Sequence, residues 1–77
     1  MNIQLGHERF WTVPIDDRVG GCAGFQLSRE RFGETSVVAK VLYWDASGGF
    51  TVQTFGEVPV EAIETAVSEA KQTIKIA

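Results

Sequence analysis

A chain of 77 residues has room for one domain and one small core, which leaves only about 3–5 kcal/mol of net stability. A composition of 44% hydrophobic and 22% charged residues excludes the disordered class. The net charge of −3 lacks the basic footprint that duplex nucleic acid requires.

The single cysteine, Cys22, can close neither an intramolecular disulfide nor a cysteine-based zinc site, and it fits a reducing cytoplasm. The start, Met1 to Glu8, has no basic segment followed by an apolar run. Nowhere do about 18 apolar residues stand together, so neither secretion nor membrane spanning is expected. No repeat, low-complexity tract or linker divides the chain.

In chain order, the aromatic and β-branched run Glu8 to Ile15 reads as a strand, and Asp16 to Gly21 as the loop after it. Pro14 places that strand at an edge or ends its pairing early. Ala23 to Arg29 alternates apolar or small with polar, and Phe32-Gly33-Glu34-Thr35 turns it into the strand ending at Trp44. Asp45-Ala46-Ser47-Gly48-Gly49 is a hairpin loop leading into Phe50 to Phe55.

Two registers fit that hairpin. A four-residue loop faces Tyr43 with Phe50 and Val41 with Val52 on a core side, leaving Lys40, Leu42, Trp44, Thr51 and Gln53 on the other. A five-residue loop exchanges the faces. From Pro59 to Ala77, the positions Ile63, Ala66, Val67, Ala70 and Ile74 form one stripe of a 3.6-residue helix. Pro59 suits its first position, and Glu61, Glu64, Lys71 and Lys75 oppose the ends of its dipole. The expected fold is α+β: an antiparallel four-stranded meander with one C-terminal helix packed on one face, a two-layer sandwich. One helix covers one face, so large apolar groups remain on the other.

No constellation meets the needs of catalysis. Gly20 to Gly24 resembles a phosphate-cradling loop in composition, but strand-like Phe25-Gln26-Leu27 follows where a helix should open. Cys22 would be a nucleophile only if His7 reached it; otherwise it is a small buried hydrophobe. The pair Asp16-Asp17 and Asp45 have no third donor at a fixed offset and read as turn formers rather than cation ligands. No catalytic residue, metal ligand or cofactor site is expected. Arg29, Arg31 and Lys40, interleaved with Phe25, Leu27, Trp44 and Phe55, are the residue types of a single-strand stacking platform. Glu30 and Glu34 among them point instead to cross-strand ion pairs.

The stretch Tyr43 to Val52 followed by Val60 to Ala66 resembles the hairpin and helix of HicB-type antitoxins over less than half the chain. A further hairpin stands in front, and neither a strand after the helix nor a DNA-binding extension is present, so no functional residue is carried over. The order of four strands and a helix is similar to Whirly-type single-strand-binding domains, an analogy of fold alone.

The reading that remains is a small non-enzymatic module that binds a protein partner or itself as a homo-oligomer. Accessory subunits, and inhibitors or regulators carried by phages and mobile elements, are of this kind. Its candidate interaction residues are Leu42, Trp44, Phe55, Phe25, Arg29, Arg31 and Lys40. A single-stranded nucleic-acid binder is the alternative, and an enzyme using Cys22 a distant third.

Overall fold

Among the described residues, five strands follow one another across a single antiparallel sheet in the order β1-β2-β3-β4-β5: β1 Asn2–Leu5, β2 Glu8–Asp17, β3 Cys22–Arg31, β4 Glu34–Trp44 and β5 Gly49–Thr54. One helix, α1, Val60–Thr73, follows. The computed structural model describes residues 1–74. The α+β meander with one helix is as expected, but it has one strand more. The additional strand β1 is four residues long and joined to β2 by the two residues Gly6 and His7, too short for its Ile3/Leu5 alternation to stand out.

The register places alternate residues in rows. Beneath the helix lie Thr12, Leu27, Ala39 and Thr54 in one row, and Pro14, Phe25, Val41 and Val52 in the next. Phe10, Leu27, Ala39 and Val41 are fully buried there. The β4–β5 hairpin takes the four-residue loop Asp45 to Gly48, so Tyr43 meets Phe50 with ring centroids 5.2 Å apart. Between Leu27↔Ala39 and Ser28↔Val37 the register shifts by one residue. The extra residue, Val38, is driven into the core at 2% exposure, and its carbonyl accepts the Phe55 amide at 2.8 Å.

The helix is shorter than its apolar pattern, and its buried line keeps Ala66 and Ala70 of the expected stripe but adds Ala62. Pro59, with φ −57° and ψ 137°, caps it from outside rather than opening it, and Ile74 is already extended. The predicted helix end, with Lys75, lies outside the described residues. The fully buried positions are Ala62, Ala66 and Ala70, while Ile63 and Val67 pack at the flank, only partly covered. Three alanines four residues apart let the helix backbone approach Phe25, Leu27 and Val41 closely, which would push larger side chains to the sides. The Met1 ammonium ties β1 and the helix together, donating to Thr12 Oγ1 at 2.6 Å and Glu69 Oε2 at 2.7 Å.

Candidate functional site: the open sheet face

On the face away from the helix, the central strand β3 presents small or polar side chains. Cys22, Gly24, Gln26 and Ser28 alternate with Phe25 and Leu27, which point to the core. Its neighbours are larger. The rows read Trp11–Ser28–Val37, Val13–Gln26–Lys40–Gln53, Ile15–Gly24–Leu42–Thr51 and Asp17–Cys22–Trp44–Gly49. The result is a shallow trough floored by β3 and walled by Trp11, Val13 and Ile15 on one side and by Leu42 and Trp44 on the other.

Cys22, Gly24 and Ser28 are buried although no helix covers them, shaded by these walls. Gly24 is required by the backbone as well. A Cβ there would stand 1.9 Å from the Val41 carbonyl oxygen, so no other residue fits without moving β4.

Two of the wall side chains are held in place. Trp44 Nε1 donates to Thr51 Oγ1 at 2.8 Å. The guanidinium of Arg9 lies 5.1 Å from the centre of the Trp11 ring while pairing with Glu30 at 3.4 Å. Lys40, in the middle of the polar row, has no ion-pair partner among the described residues.

The seven residues expected to form one interaction surface do not form one. Lys40, Leu42 and Trp44 share the open face. Phe25 is core at 7% exposure, because its odd-numbered position on β3 points at the helix. Arg29 and Arg31 share that parity and lie at the helix N-terminal end of the covered face. Arg31 Nε donates to Glu8 Oε1 at 2.6 Å, and Arg29 Nη1 donates to the Glu57 carbonyl at 3.4 Å. They line a depression of about 320 Å³ with Glu8, Glu57, Val58 and Pro59, where Glu8 pairs with Arg31 and Arg29 meets the Glu57 backbone carbonyl. Phe55 follows β5 at the sheet edge, 45% exposed. Trp11, Val13 and Ile15 belong to the open face, and the alternation Trp11-Thr12-Val13-Pro14-Ile15 is the signal that places them together.

The remaining candidates fall apart on geometry. His7 precedes β2 and Cys22 pairs with its last residue, Asp17, so the ten-residue strand holds thiol and imidazole roughly 30 Å apart. Asp17 Oδ1 accepts the Gly20 amide at 2.8 Å, the work of a turn former. Among the described residues no three His, Cys, Asp or Glu side chains are grouped to hold a metal ion. No helix among them is long and apolar enough to cross a membrane.

Comparison with known proteins finds no matching family model, no matching curated protein and no matching solved structure. The resemblances to HicB-type and Whirly-type domains gain no support from it.

Proposed function

We propose that this domain is a non-enzymatic protein-binding module, an accessory subunit or an inhibitor/regulator, that works in a reducing compartment such as the cytoplasm and seats a partner protein on its open sheet face. The observation that carries the reading is the row of apolar side chains Trp11, Val13, Ile15, Leu42 and Trp44 opposite the helix. They are exposed or only partly covered, and flank a trough whose floor is too small-chained to cover them. Rigid aromatic anchors beside a desolvatable floor are where interface energy concentrates. Lys40 at the centre, without an ion-pair partner among the described residues, favours a partner whose apolar surface carries a carboxylate. A nucleic-acid platform is disfavoured by the separation of Arg29 and Arg31 from Trp44 onto opposite faces.

The test compares capture from host lysate by the wild-type domain, by Leu42→Glu and by the helix-surface control Glu64→Gln, with folding checked by circular dichroism. A protein retained by wild type and control, and lost at least about tenfold with Leu42→Glu, is the expected outcome. Single-stranded DNA or RNA bound more tightly than about 10 μM at about 150 mM salt would replace this reading with the nucleic-acid one.

A further inference from the structure

The sheet guards its edges unequally. On the β1 side, the edge strand is only four residues long and pairs with β2 from Leu5↔Glu8 to Asn2↔Trp11, with one more hydrogen bond from Thr12. Beyond Thr12, β2 is itself the edge, and there it carries Pro14, which has no amide proton to offer an incoming strand.

The β5 edge has no such device. From Gly49 to Gly56 the chain reads Gly-Phe-Thr-Val-Gln-Thr-Phe-Gly, without a charge, a proline or a register shift against β4. The helix lies over β3 and β4, so Val52 stays 46% exposed although its cross-strand neighbour Val41 is fully buried. The covered core therefore runs out into solvent at this strand.

Hydrogen-bond alternation settles which groups the edge presents. The Phe55 amide donates inward to the Val38 carbonyl, so Gly49, Thr51, Gln53 and Phe55 bond to β4, and the amides and carbonyls of Phe50, Val52 and Thr54 point outward.

We propose that β5 is a self-association edge: two copies of the chain pair their β5 strands antiparallel about a two-fold axis at Val52, merging the two sheets into one. A second copy is the occupant because the strand is self-complementary in this register. Val52 meets Val52 on the helix side, extending the row Phe25–Val41–Val52 into its symmetry mate. Thr51 meets Gln53 on the open side, Phe50 meets Thr54, and the outward amides and carbonyls satisfy one another reciprocally. In a chain of net charge −3, this edge also brings no charged residue opposite its own copy within the paired strand. The paired backbone edge lies outside the trough walls Leu42 and Trp44, so this inference does not rest on the partner-binding reading.

The experiment is sedimentation equilibrium of the wild type, Val52→Pro, Val52→Lys and Leu42→Glu, each checked by circular dichroism. Proline at 52 removes an outward amide that the monomer does not use, and lysine places a charge against its own copy. The wild type and Leu42→Glu are expected at twice 8.4 kDa, and both Val52 variants at the monomer mass. Hydrogen exchange on the wild type needs no variant. The Phe50, Val52 and Thr54 amides should gain protection with concentration, while Thr51 and Gln53 stay protected throughout. A wild type that remains monomeric to about 1 mM, a dimer that survives both folded Val52 variants, or edge-amide protection that does not depend on concentration overturns the proposal.

Discussion

Leu27 and Leu42 are the same side chain on the neighbouring strands β3 and β4, and their surroundings differ completely. Leu27 has no solvent exposure and sits under the helix among Phe10, Phe25 and Val41. Leu42 stands on the open face beside Gly24 and is only partly covered by its neighbours. Both faces are rich in apolar groups, so hydrophobicity does not distinguish them. The distribution of size does. On the covered face large sheet residues meet the small stripe Ala62, Ala66 and Ala70, so volume is matched across the layer. On the open face the large apolar residues stand on the flanking strands and, apart from Gln26, the small ones on the central strand, so volume is matched to nothing among the described residues. The covered face is packed for stability, whereas the open face has no packing layer among the described residues, which is the basis of the proposed partner site.

The largest expected effect tests that distinction directly. Leu27→Ala removes a fully buried side chain from a core that cannot collapse around it, at a cost of about 2–5 kcal/mol. That is comparable to the whole stability of a domain of this size, so the variant should be largely unfolded. Leu42→Ala should cost under about 1 kcal/mol, because the side chain leaves an open face. Urea denaturation of the two variants gives both numbers. Similar losses would mean that the two faces are not energetically distinct.

A smaller effect probes the match of volumes. Ala66→Leu inserts a large side chain where the helix rests on the sheet and should cost about 1–3 kcal/mol through displaced packing. Val13→Leu, a smaller enlargement by one methylene at a 40% exposed position on the trough wall, should change stability by less than about 0.5 kcal/mol. Thermal unfolding of both variants decides it. A tolerated Ala66→Leu would show that the helix does not lie as close to β3 and β4 as its alanines imply.

How far the sequence reaches is itself set by these packing rules. The β4–β5 hairpin is legible because Val41, Tyr43, Phe50 and Val52 alternate, yet two loop lengths satisfy that alternation, and the Tyr43–Phe50 pairing in the folded sheet selects one. The helix is legible as an amphipathic stripe. Ala66 and Ala70 of that stripe are its buried centre, but the line runs on through Ala62 while Ile63 and Val67 stand at the flank, because alanine is weak as a hydrophobic signal and strong as a close-packing one.

Side-chain types alone do not reveal the grouping at the site. Arg29 and Arg31 group with Trp44 by residue type, but the parity of β3 sends the arginines to the helix side, and a one-residue bulge at Val38 resets parity midway along β4. Such a bulge has no signature in the adjacent Val37-Val38-Ala39, since any of the three suits either face. Trp11, Val13 and Ile15 were within reach, because period two along β2 already sets them against Phe10 and Thr12.

The smallest effect sharpens the comparison at a place that belongs to neither face. Phe32 and Gly33 form the two-residue turn between β3 and β4, with φ of 50° and 80°, the pattern of a type I′ turn. Gly33 adopts that conformation freely, whereas Phe32 is a bulky residue in the left-handed region, and it is 88% exposed at the tip. Its ring gains little from the fold, and its backbone costs about 1 kcal/mol relative to a residue suited to the turn. Phe32→Asn should therefore stabilise the domain by about 0.5–1 kcal/mol, read as a rise in the urea midpoint with an unchanged slope. If apolar side chains outside the covered face serve contact rather than folding, the variant gains stability and loses affinity for any partner that the tip engages. A loss of stability would mean instead that the Phe32 ring packs against the chain in solution, and the line between the packed covered face and the unpacked apolar groups elsewhere would have to be redrawn at this hairpin.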